Sequence, residues 1–115
     1  MNWYIAKIIF RICNGEGSHK PQFDEHLRLI QASNFEEAFL KARILGLQEE
    51  ATFLNNHLDM VKWEFVNVSE LFPMNELKDG VELYSQIQEK EEAEHYIHYV
   101  HQKAAAIQLK HRPVF

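Results

Sequence analysis

The chain has little of what usually marks a chemistry. It has a single cysteine, Cys13, among 115 residues. One thiol forms no intramolecular disulfide and no cysteine-based zinc site, which fits a reducing cytoplasm. Cys13 is read as a small residue at a strand end rather than a reactive thiol. No apolar run approaches the roughly 18 residues that a membrane span needs. The opening Trp3-Tyr4-Ile5-Ala6, with Lys7 and Arg11 close behind, resembles neither a basic leader nor a cleavage site. Neither a membrane partner nor export is expected. Basic side chains are outnumbered, 12 against 17 acidic, for a formal net charge of −5, and they do not cluster. A phosphate-binding surface, and with it a nucleic-acid partner, is not expected. There is no glycine-rich phosphate loop, no Gly-x-Ser-x-Gly elbow and no His-Glu-x-x-His pair, so no cofactor is implied. Gly15-Glu16-Gly17 is too short to suggest a nucleotide site and is read as a hairpin loop.

What is present is the composition of a soluble globular protein, 46% hydrophobic and 25% charged. Its length suits one domain, residues 1–115. From Trp3 to Ile12 the even positions Tyr4, Ala6, Ile8, Phe10 and Ile12 are all apolar, the period of a strand. The odd positions Trp3, Ile5, Lys7, Ile9 and Arg11 are more apolar than a solvated face should be, so something should cover them in part. Turn residues from Asn14 to Pro21 lead to a second strand, Gln22 to about Gln31. A connection this short makes the pair an antiparallel hairpin.

Ser33 stands three residues before Glu36, the spacing of a capping box. Phe35, Ala38, Phe39, Ala42 and Leu45 follow at helical intervals, and Gly46 is placed to stop the helix. Leu47 to Asp59 shows no clear period and is read as a loop. From Met60 the chain is strand-like, with Val61, Trp63 and Phe65 on one parity and Val66 and Val68 on the other, a switch that predicts a bulge or bend. Pro73 should break that strand. Asp79-Gly80 signals a turn before a short strand, Val81 to Ile87. A last helix, from about Glu89 to Lys110, carries the stripe Ala93, Tyr96, Ile97, Val100, Ala104 and Ile107 for packing on the sheet. The order is thus strand, strand, helix, twice over, each helix opening near a Glu-Glu-Ala triplet: Glu36-Glu37-Ala38 and Glu91-Glu92-Ala93.

The opening Trp3-Tyr4-x-Ala6-Lys7, the post-helix Glu49-Glu50, the strand from Val61 to Val68 and the stretch Leu77 to Ser85 together resemble a family of small bacterial proteins, domain-of-unknown-function family 4288. The resemblance covers about residues 3 to 88 and leaves most of the final helix outside. It implies a bacterial cytoplasmic protein and carries over no catalytic or binding residue.

Two constellations have the right elements for chemistry. On the last helix, Glu92-x-x-His95 and His95-x-x-His98 have the spacing of bundle metal ligands. Six residues advance a helix by about 600°, so His95 and His101 lie on different faces and cannot share one metal within a single chain. The plainer reading is a solvated face with Glu91–His95 and Glu94–His98 pairs four apart. The second constellation is Glu49-Glu50 with Thr52, Asn55, Asn56, His57 and Asp59. Glu50 and His57 are its acid/base candidates, of interest if Glu50 is buried beside Trp63. A solvated loop is the plainer reading here also.

The expected fold is α+β, an antiparallel sheet of about four strands in the order ββαββα with two helices mainly on one face. That leaves the odd face of the first strand needing a cover. A non-enzymatic binding or interaction module follows, a homo-oligomer or a protein's partner, with Trp3, Ile5, Ile9 and Trp63 as interface or ligand-stacking residues. The alternative is a small acid/base or metal-assisted enzyme using the Glu49–Asp59 loop, with Glu50 and His57 as its working residues and His95 as a further candidate.

Overall fold

The computed structural model describes residues 1–14, 20–55 and 57–110, in two compact units, Met1–Tyr84 and Ser85–Phe115. The Gly15-Glu16-Gly17 loop and Asn56 lie outside the described residues. The elements run β1 (Asn2–Asn14), β2 (Gln22–Ala32), α1 (Phe35–Gln48), β3 (Ala51–Leu54), β4 (Met60–Met74) and α2 (Ala93–Lys110), which is the expected ββαββα order of an α+β protein. One antiparallel sheet has the strand order β2-β1-β4-β3.

The β1–β2 hairpin holds one register throughout, from Asn2 opposite Ala32 to Ile12 opposite Gln22. Opposed residues in an antiparallel pair share a face, so even positions of β1 and of β2 lie together. On that face Tyr4, Ala6, Ile8, Phe10, Ile30 and Ala32 are buried against Ala38 and Ala42 of α1, with Leu45, Trp63, Phe65, Val68 and Leu71 packed around them. The parity switch expected in β4 is a bulge. The β1–β4 register shifts between Ile9 and Phe10, leaving Val66 unpaired, and again between Lys7 and Ile8, leaving Ser69 unpaired. Two shifts restore the parity, so Leu71 and Phe65 both reach the α1 face.

Several local expectations are corrected. The cap of α1 is Asn34, not Ser33: the Asn34 Oδ1 accepts from the Glu37 N–H at 2.8 Å, and the Glu37 carboxylate reaches back to the Ser33 N–H at 3.4 Å. The cap is therefore one residue further along, and the returning carboxylate is Glu37 in place of Glu36, on the N–H of the residue before the cap. Gly46 does not stop the helix. It is buried inside α1, where a Cβ would overlap the Phe65 ring and come within 3.2 Å of the Ile8 Cγ2. Ala38, Ala42 and Gly46 are the helix's buried residues, while Phe35 and Phe39 are partly exposed over β4, with the Phe35 ring edge-on to Tyr4 at 6.4 Å.

The segment read as a loop, Leu47 to Asp59, holds the end of α1 and the strand β3. All four β3 residues are exposed on a short edge strand, so they show no alternation. Pro73 lies within β4, opposite Tyr4, rather than ending it. β3 pairs only with Met60 to Trp63, so β4 has no strand on its far side at Pro73, where a missing donor is tolerated. Val81 to Ile87 is not a strand: Asp79-Gly80 forms the expected turn, closed by the Val81 N–H on the Lys78 carbonyl at 3.2 Å with Gly80 at φ 86°, but no ladder follows. The sheet thus has its fourth strand in β3.

In the second unit α2 begins at Ala93, later than expected. Every described residue from 85 to 110 is exposed, including the stripe from Ala93 to Ile107 that was expected to be packed. Within this unit Lys90 lies over the Tyr96 ring and Lys103 over the Tyr99 ring, at 5.1 and 5.3 Å.

Candidate functional site

The feature that singles out a surface is the inverted patterning of β2. Its even residues, Asp24, His26 and Arg28, are polar yet lie on the α1 face, while Phe23, Leu27 and Leu29 point to the opposite face and are 56%, 58% and 46% exposed. The hairpin register forces this: the face of Ile8 and Phe10 is also the face of His26 and Asp24.

Each side chain of the polar row is hydrogen-bonded. Arg28 Nη2 is 3.1 Å from His26 Nδ1, and a guanidinium only donates, so Nδ1 accepts. The His26 Nε2–H then donates to Asp24 Oδ2 at 2.8 Å, and the Trp63 Nε1–H donates to the same oxygen at 3.1 Å. Arg28 Nη1 reaches Glu49 at the end of α1, at 3.4 Å. The His26 ring also lies against Phe10, centroids 4.9 Å apart. These bonds, His26 first and Trp63 second, hold the Asp24 carboxyl below the ordinary carboxylate range. The row ties the edge strand to β4 and α1.

On the opposite face Lys7 sits between Glu25 at 3.1 Å and Glu70 at 3.7 Å. The hydrogen bond to Glu25 and the charges of Glu25, Glu70 and Tyr84 raise its pKa against partial desolvation. Among the described residues of the first unit, cover for this face is provided by Tyr84 at one end. Tyr84 lies against Phe72, ring centroids 5.1 Å apart, beside buried Ile5 and Met74. Ile5, 4% exposed, therefore offers no surface, whereas Trp3 and Ile9 stay half-buried. Trp63 lies on the α1 face, apart from Trp3, Ile5 and Ile9, and stacks on Phe53 at 5.4 Å.

The acid/base candidates are placed apart. Glu50 is exposed rather than buried beside Trp63, and its carboxylate accepts from the Phe65 N–H at 2.9 Å, satisfying a donor beyond the end of β3. His57 lies exposed in the β3–β4 turn, its N–H on Asn55 Oδ1 at 2.8 Å. Glu92, His95 and His98 are exposed in the second unit. Among the described residues no group of three or more His, Cys, Asp or Glu side chains is arranged to hold a metal, and no helix is long and apolar enough to cross a membrane. An open groove of about 470 Å³ runs between β2 and α1, lined by Leu29, Ile30, Lys41, Ile44, Leu45 and Gln48.

A family model described as Domain of unknown function (DUF4288) matches residues 3–85. The chain belongs to this family. The DUF4288 match ends one residue beyond Tyr84, where the first compact unit ends, so the unit the family model describes is the sheet with α1 and its Tyr84 cover. No curated protein and no solved structure matches the chain. Asp24, His26 and Arg28 were not singled out from the sequence; their alternation with Phe23, Leu27 and Leu29, broken only by Glu25 and taken with the even-to-even register of a short hairpin, is the signal that would have found them.

Proposed function

We propose that this DUF4288 protein is a non-enzymatic interaction module that works as a homo-oligomer or with a protein partner in a bacterial cytoplasm. The observation that carries the reading is the exposed apolar row Phe23, Leu27 and Leu29, on the sheet face away from α1. Large apolar side chains exposed together on one sheet face usually mark a protein partner, and here the row is crossed by the Lys7–Glu25 ion pair, which gives that face a polar contact as well. Half-buried Trp3 and Ile9 extend the same face toward β1. The single cysteine, Cys13, supports the compartment. The acid/base alternative has less support, because Glu50 is spent on a backbone donor and His57 lies in a turn.

Light scattering over a wide concentration range tests the reading. The chain should run as an oligomer, or co-purify with a defined stoichiometric partner, and Leu27→Asp should abolish that association without unfolding the protein. A strictly monomeric chain with no stoichiometric partner overturns it.

A further inference from the structure

We propose that β2 pairs with β2 of a second copy, antiparallel about a two-fold axis through His26, joining two four-stranded sheets into one of eight strands. The inference rests on the homo-oligomer reading and names its partner and register. β2 is the terminal strand of the sheet, so its outer edge is not paired with another strand of the sheet. α1 touches β2, β1 and β4, and the open groove of about 470 Å³ between α1 and β2 leaves room beside that edge.

An edge pairing with its own copy must follow a two-fold axis, which places one residue opposite itself. Centring on Asp24, Glu25 or Arg28 sets like charges face to face, which destabilises a cross-strand pair. Centring on Leu27 puts Asp24 opposite Ile30, Glu25 opposite Leu29 and His26 opposite Arg28, with no opposite-charge pair. Centring on His26 puts Asp24 opposite Arg28 of the second copy and Phe23 opposite Leu29, each twice by symmetry; it also sets His26 opposite itself and Glu25 opposite Leu27, so the two Asp24–Arg28 pairs are what favour it over the Leu27 centre. Asp24 uses Oδ2 for both its bonds to His26 and Trp63, and Oδ1 faces no such demand from them. The side chains of Asp24 and Arg28 are 37% and 34% exposed, within reach of a neighbouring strand. The ladder has a natural end: Gln31 falls opposite Pro21, which has no N–H to give, and the Gln31 carbonyl already accepts from the Lys41 ammonium.

The test uses charge reversal in the full chain. Asp24→Arg alone sets two guanidinium groups face to face, and Arg28→Asp alone sets two carboxylates face to face, so each variant should dimerise about tenfold more weakly or worse. Mixed in equal amounts, the two variants set a guanidinium of one chain opposite a carboxylate of the other at both cross-strand pairs. The mixture should recover a species of about twice the 13.6 kDa chain mass. Because these substitutions also remove the bonds of Asp24 to His26 and Trp63 and of Arg28 to His26 and Glu49, a second pair of variants at exposed positions is made in a Cys13→Ser background: Glu25→Cys and Leu27→Cys. These positions are opposed in the proposed register, with Cα atoms about 4.5–5.5 Å apart, within disulfide range. The mixture should cross-link faster than either variant alone. A dimer of the unaltered chain that fails both the mixing and the cross-linking tests overturns this register and leaves the homo-oligomer reading standing. A chain that is monomeric throughout overturns both the register and the homo-oligomer.

Discussion

Gly46 is where α1 and the sheet come closest. A methyl group at this position meets the Phe65 ring, and Phe65 is itself set edge-on to Phe10 with centroids 6.2 Å apart, so the ring has little room to move. Alanine is the better helix former by about 1 kcal/mol, but overpacking costs about 1–3 kcal/mol. Gly46→Ala is expected to lower stability by about 1 kcal/mol in urea denaturation, and Phe65→Leu in the same chain should recover part of the loss; a stabilised single variant would show that the ring yields freely. Asp24 gives a second prediction. Its folded pKa is depressed by His26 and Trp63, so its contribution is complete above the ordinary carboxylate value of about 4 and is lost as the pH falls below it. Asp24→Asn should flatten the loss of stability between neutral and strongly acid pH. Parallel acid limbs for the two proteins would remove Asp24 as a source of acid sensitivity.

At the level of elements, α1 is anchored at its start by Asn34 and along its length by small residues. Asn34→Ala removes the Oδ1 that accepts from Glu37 and should cost about 1 kcal/mol. Ser33→Ala should cost much less, since Ser33 takes part through its backbone N–H, which alanine keeps. Thermal melts of the two variants decide between them, and an equal loss would restore Ser33 as the cap. The helix was legible in the apolar spacing of Ala38, Ala42 and Leu45, but its ends were not. Ser33 and Asn34 are adjacent residues of nearly equal capping power, each followed three positions on by a glutamate, and only the chain's path into the helix selects one. β3 was illegible for a different reason: four exposed edge residues carry no period, and their strand state comes from pairing with Met60 to Trp63. The bulge in β4 was legible, because an extra residue must exchange the faces that Val61, Trp63 and Phe65 share.

For the molecule as a whole, the first compact unit, Met1–Tyr84, coincides with the family match over residues 3–85. A chain ended after Tyr84 should fold alone, with a single cooperative transition and the same urea midpoint as the full chain. Loss of cooperativity in that fragment would show that the residues after Tyr84 are needed for the first unit's stability. Limited proteolysis of the full chain should cut first between Ser85 and Glu92, a described stretch with neither helix nor strand and with every residue exposed.

The sequence by itself determined the hairpin, the buried even face of β1, the presence of α1 and the bulge, because each rests on a local period or a short connection that few conformations satisfy; the ββαββα order came out as expected, but with β3 in the place of the strand read at Val81 to Ile87. Only the tertiary structure decided what lies on the far face. Tyr84 comes against Phe72 beside buried Ile5, and it does so from far along the chain. The placement of Asp24, His26 and Arg28 beside Trp63 and Glu49 is likewise set by register and helix position, since a two-residue period names two faces without saying which of them α1 will cover.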